Sequence, residues 1–144
     1  MSDGKAYRIV VGVDGSPGSV LALEWALEEA KLRGGTIRVI TAWHYPALGE
    51  AADTASDYET LKQAAARAQT KLLAGAQAKG APSSGEVIEG APVQVLLEAA
   101  GDADLLVVGS RGHGGFRGLL LGSVSSQLVH HAPCPVTIVR HPKA

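Results

Sequence analysis

The chain has 144 residues, 46% of them apolar and 19% charged, with a formal net charge of −1. That suits one globular domain, residues 1–144, with a sizeable core, and a charge so near zero gives no general pull toward nucleic acid or an anionic membrane. The single cysteine excludes an internal disulfide and fits a reducing compartment, so a cytoplasmic location is expected. Met1 to Ala6 is short and polar, unlike a signal peptide, and no apolar run has the length of a membrane span.

Tyr7 to Val13 is a mostly apolar run of strand length, as expected of a strand covered on both faces. Asp14-Gly15-Ser16-Pro17 breaks it, with Ser16 as helix N-cap and Pro17 at the first helical position. Gly18 to Arg33 reads as helix with a buried stripe of Val20, Leu23, Leu27 and Ala30, ended by Gly34-Gly35. Thr36 to Trp43 is a second strand. His44 to Asp57, with Pro, Gly and small residues, reads as a surface loop. Tyr58 to Lys79 is a long alanine-rich helix closed by Gly80. Glu86 to Glu89 is a short third strand, and Pro92 to Ala100 a third helix stopped by Gly101. Asp104 to Val108 is the fourth strand. A helix from about Val124 to His131 and a fifth strand from Pro135 to Arg140 close the chain. Strands and helices alternate throughout, which predicts an α/β fold: a parallel sheet with right-handed crossovers and helices on both faces.

Between the fourth strand and the last helix lies a glycine-rich, basic loop. A strand running into glycines and then into a helix N-terminus aims backbone N–H groups at phosphates. Arg111 and Arg117 add positive charge beside it. The loop is not a Walker A motif, since no Gly-Lys-Ser/Thr ends it. Nor is it a dinucleotide fingerprint: Gly112 and Gly114 begin that pattern, but position 117 is Arg. It does match G-2x-G-9x-G-[S/T] at Gly109, Gly112, Gly122 and Ser123.

That spacing resembles the nucleotide motif of ATP-binding universal stress proteins. The resemblance extends to Val-Gly-Val-Asp-Gly-Ser at the first strand and to the closing Pro-Cys-Pro-Val-Thr-Ile-Val. It is least specific over residues 44–84. It implies a Rossmann-like, five-stranded open twisted sheet of order 3-2-1-4-5, akin to the adenine nucleotide alpha hydrolases. In that order the first and fourth strands are neighbours at a switch point, where ligands bind at carboxyl ends of strands. It also implies an adenine nucleotide, ATP or AMP/ADP, and a homodimer paired through strand 135–140. Weak or no ATPase activity goes with it.

Individual residues carry this expectation unequally. Ser123 and Ser125 open the last helix, where hydroxyls and the Val124 N–H can hold phosphate oxygens; the simpler role for Ser123 is a plain N-cap. Asp14 is a carboxylate beside a phosphate path, which calls for ribose hydroxyls or a phosphate-bridging magnesium ion to accommodate it. The simpler role there is a turn at a strand end. By resemblance the main chain at Ala42 contacts adenine and Val13 lines the base pocket. His113 lies within the loop, where it can touch phosphate. His130-His131 resembles a metal pair, but adjacent helix residues point about 100° apart, and histidines suit a helix C-terminus. Cys134 reads as a small packed residue.

Two other functions compete. An ATP-pyrophosphatase-type adenylating enzyme carries Ser-Gly-Gly-x-Asp-Ser after the first strand, and Val-Asp-Gly-Ser-Pro-Gly-Ser departs from it. A nucleotide-free dimerising scaffold would lack the loop motif, which is intact. No candidate base or nucleophile stands beside the loop, so no catalytic residue is assigned.

Overall fold

The computed structural model describes residues 6–43, 55–110 and 122–140. Five parallel strands form one sheet in the order β3-β2-β1-β4-β5. In chain order the elements are β1 (Arg8–Gly12), α1 (Pro17–Arg33), β2 (Thr36–Trp43), α2 (Ala55–Ala78), β3 (Ser83–Glu89), α3 (Pro92–Ala99), β4 (Leu105–Gly109), α4 (Ser123–His131) and β5 (Val136–Val139). A single turn of 3-10 helix, Ala100–Asp102, follows α3.

The sheet separates two apolar layers. On one face α1 and α2 cover Ile9, Val11, Ile37, Val39, Leu105 and Val107. On the other, α3 and α4 cover Val10, Ile40, Leu106 and Val108. Strands buried on both faces need apolar residues at every position, and that is why β1 and β4 read as unbroken runs.

Helix α1 lies close against the sheet because one row of it is small. Gly18, Ala22, Ala26 and Ala30 recur every fourth residue, all buried, with Ser19, Leu23 and Leu27 beside them. Val20 of the expected stripe is half-buried. Ser16 caps the helix, its hydroxyl accepting from the Ser19 N–H at 3.3 Å, and Pro17 occupies the first position. Gly34 ends it at φ +65°, a left-handed conformation that costs a side-chain-bearing residue about 1–2 kcal/mol.

Two boundaries differ from expectation by three residues each. Helix α2 begins at Ala55, so residues 55–57 are helical and not loop; residues 44–54 lie outside the described residues. Ser56 and Asp57 suit a helix's first turn, whereas the breakers Pro46 and Gly49 stand further upstream. Strand β3 starts at Ser83, three residues early, in register from Ile37↔Ser83 to Trp43↔Glu89. Ser83-Ser84-Gly85 has no apolar alternation to reveal a strand, because a helix side chain fills the space over Gly85.

Candidate functional site

The switch between β1 and β4 brings the two suspect loops together, as Ile9↔Leu105 and Val11↔Val107 pair. Beyond β1, Val13 is buried and its N–H donates to the Ile40 carbonyl at 2.9 Å. Asp14 is exposed, and its Oδ1 accepts from the Ser16 N–H at 2.9 Å. Gly15 sits between them at φ +85°. The carboxylate thus builds the turn that aims α1, as the simpler reading of Asp14 requires.

Across the switch, Gly109 ends β4 against the first turn of α1. A Cβ placed there would lie 2.9 Å from the Gly18 carbonyl oxygen and 3.0 Å from its carbon. Only glycine permits this approach of strand to helix. The next residue, Ser110, is buried, and its carbonyl is a knot. It accepts from the Gly122 N–H at 2.7 Å and from the Ser125 hydroxyl at 2.9 Å. Its own N–H donates to Val139 of β5 at 2.9 Å. The chain therefore leaves at Ser110 and returns at Gly122 to the same point. Arg111, Gly112 and His113 lie outside the described residues, as does Arg117.

Helix α4 starts one residue earlier than expected, and its N-cap is Gly122, with no side-chain capping bond. Ser123 is consequently the first helical residue and exposed, so the plain N-cap role assigned to it falls to Gly122. A glycine cap offers no side-chain oxygen to the first-turn amides. The Ser126 N–H is tied to the Gly122 carbonyl at 3.0 Å, so the amides of Ser123, Val124 and Ser125 precede the helical ladder. Val124 is half-buried on the α3–α4 layer. Ser125 is buried and its hydroxyl hydrogen is spent on Ser110, so in this arrangement it holds the loop base and leaves any anion to the main chain.

Ala42 lies in the last turn of the pleat of β2. Main-chain groups alternate in direction along a strand. Because the Thr36 N–H and the Ile40 carbonyl bond to β1 residues, the even residues of β2 face β1. Ala42 therefore turns its N–H and carbonyl toward the β1 side, just past the Val13 rung. Trp43 follows, packed edge-on against Tyr58 at 5.1 Å between centroids. The Tyr58 hydroxyl donates to Glu89 at 3.1 Å, which raises the Tyr58 pKa above its ordinary value. Sequence reasoning missed this aromatic support, since Tyr58 was read only as a helix start.

Val13, Asp14, Ala42, Gly109, Gly122, Ser123, Val124 and Ser125 thus all belong to the carboxyl edge of the sheet. His130 and His131 lie at the far end of α4, with rings 6.3 Å apart. No group of three metal-ligating side chains occurs among the described residues. A cavity of about 520 Å³ opens elsewhere, at the amino edge, lined by Arg8, Thr36, Arg38, Ser83 and Asp102 among others. Its guanidinium groups are already paired, Arg8 with Asp102 and Arg38 with Glu86. It stands at the opposite ends of the strands from the motif, and the geometry of the switch point is the better guide to the site.

A doubly wound sheet with a glycine-bounded loop at its switch point defines a class of nucleotide-binding folds. The Universal stress protein family model matches residues 6–140, and the chain belongs to that family. A universal stress protein of Mycobacterium tuberculosis is 37% identical over 134 residues, which cover 92% of this chain and 45% of that one. The chain spans about half the length of the curated relatives it matches. A universal stress protein solved in complex with cAMP is 30% identical, with a TM-score of 0.73 over 97% of this chain and 100% of that one. The universal stress protein of Archaeoglobus fulgidus, solved with dAMP, shares the fold at 23% identity and a TM-score of 0.69, over 92% of this chain and 97% of that one.

Proposed function

We propose that the carboxyl edge of the sheet binds an adenine nucleotide, ATP in the fullest form, and that the protein is a nucleotide-dependent regulator in the stress response. The observation that carries this is the start of α4. A glycine N-cap leaves main-chain amides uncapped by any side chain among the described residues, directly beside the Ser110 knot and the close-packed Gly109. Such amides at a helix N-terminus suit phosphate. A relative 30% identical was solved with cAMP, which supports an adenine nucleotide as the ligand.

In this reading the amides of Ser123 and Val124, with Gly109 and Gly122 at the loop's ends, hold phosphate oxygens, and Arg111, Gly112 and His113 belong to the same cradle. Val13 and the main chain of Ala42 face the base. Asp14 accepts from ribose hydroxyls. It is also the residue that would hold a magnesium ion, which would supply charge neutralisation. No general base stands beside the described phosphate path, so at most slow hydrolysis is expected. The lone cysteine keeps the cytoplasm as the expected location; among the described residues no helix is long and apolar enough to cross a membrane.

The same reading includes a homodimer paired through β5. This strand is last in the sheet order, and its four residues Val136, Thr137, Ile138 and Val139 are only half-buried. An apolar β-branched edge calls for cover, and its own copy about a two-fold axis supplies it.

Calorimetry on the purified chain tests the nucleotide site. The unmodified protein is expected to bind ATP, and Gly122→Asp to bind none, because a side chain and a negative charge enter the phosphate path. Equal ATP affinity in the two would overturn the placement. Steady-state ATP turnover above about 1 s⁻¹, the ordinary enzyme range, would overturn the reading of weak or no catalysis.

A further inference from the structure

Resting on the adenine-nucleotide reading, we propose that Gln69 of α2 is a positioning residue for the site: it sets the pleat of β2 that presents the Ala42 main chain to the base. Gln69 is 4% exposed, in a helix face otherwise packed through Leu72, Leu73 and Ala76. Its two Nε2 hydrogens are shared among the Val39 carbonyl, the Thr41 hydroxyl and the Glu86 carbonyl, each 3.0 Å from the nitrogen. Two carbonyl partners fix which end of the amide is nitrogen, because only the NH₂ end can donate.

The place of these partners matters. The Ile37 N–H bonds to Pro82, and the Trp43 carbonyl to Gly90. The odd residues of β2 therefore face β3, and Val39 and Glu86 lie along the seam between the two strands. Gln69 sits over that seam, one residue before Ala42, which faces the opposite seam. Strand β3 gives up a side chain to admit it. A Cβ at Gly85 would come within 2.0 Å of the Gln69 Oε1. Burying an amide carries a desolvation cost that an apolar residue would avoid. Here two positions, Gln69 and Gly85, both depart from apolar packing at one spot. What the departure supplies is a fixed Thr41 rotamer and a fixed height for the carbonyls on either side. Downstream, the Trp43–Tyr58 contact holds the other flank of Ala42. The backbone that reads the base is thereby gripped on both sides.

The test is calorimetric titration of the full chain with ATP, GTP and inorganic tripolyphosphate. The variants are Gln69→Leu, which keeps the volume, and Thr41→Val, which keeps the shape and removes one acceptor. The unmodified protein is expected to prefer ATP to GTP. Gln69→Leu should lose about tenfold in ATP affinity, the scale of one hydrogen bond, and narrow the ATP-to-GTP ratio. Its tripolyphosphate affinity and far-UV circular dichroism should not move. Thr41→Val should shift the ratio the same way by a smaller factor. An unchanged ratio in folded Gln69→Leu would show a merely structural residue and overturn the proposal. If that variant does not fold, an unchanged ratio in Thr41→Val does so. If the unmodified chain binds neither nucleotide, the adenine reading itself fails and the proposal with it. If it binds both equally, base discrimination is absent and the proposal alone falls.

Discussion

Gly109 acts through what it lacks: without a Cβ, the end of β4 can touch the Gly18 carbonyl, and α1 reaches the switch point. Asp14 acts through what it holds, since one carboxylate oxygen shapes the turn before α1. Cys134 shows how burial sets chemistry at a single residue. It is half-buried between two prolines, against the α3–α4 layer. Burial, and secondarily the charge of Asp104, push its thiol pKa up. The folded chain therefore holds the thiol proton to higher pH than the unfolded chain. Its contribution to stability is full below the ordinary thiol pKa and is lost as pH rises from that value through the folded one. Thiolate is the reactive form, so iodoacetamide at pH 8.5 should alkylate the native protein more slowly than the urea-unfolded one. Equal rates, followed by mass spectrometry, would contradict this.

At the scale of elements, α1 positions half the site and depends on its ends. Ser16→Ala removes the hydroxyl that accepts from Ser19 and should cost about 1 kcal/mol, read as a lower urea midpoint with unchanged slope. The Gly34 terminus, at positive φ, completes the fixed length of the helix. Both ends were legible in the sequence, because Ser-Pro and Gly-Gly are local signals that act on the chain nearby. Strands β1 and β4 were legible for a related reason: burial on both faces demands continuous apolar runs. The start of β3 was not, since Gly85 takes its state from Gln69, sixteen residues back, and no local pattern records that contact. The Ser110 knot was equally hidden, because carbonyls and amides are common to every residue. Gly122, singled out only by its spacing, proved to be the cap, and Ser123 the residue after it. The strand order came by resemblance alone; periodicity does not encode it, and the model gives the order implied.

For the molecule as a whole, the proposed dimer turns on β5, the last strand in the sheet order. The Leu106 N–H bonds to the Pro135 carbonyl and the Ser110 N–H to that of Val139. By alternation, residues 135, 137 and 139 serve β4, while Val136 and Ile138 turn their main-chain groups outward. Ile138→Pro thus removes a donor from the open edge and spares the internal ladder. Light scattering at micromolar concentration is expected to find the unmodified chain dimeric and this variant monomeric. A monomeric unmodified chain would refute pairing through β5. A different property of the whole follows from the two layers on either side of the sheet. Among the described residues the two buried clusters share no member, and strands whose spacing is set by hydrogen bonds lie between them. A repacking beneath α1 and α2 therefore has no direct path to the packing beneath α3 and α4. Each layer can drift through sequence space at its own pace, while the carboxyl edge, which draws on both, keeps its shape so long as the strands hold their register.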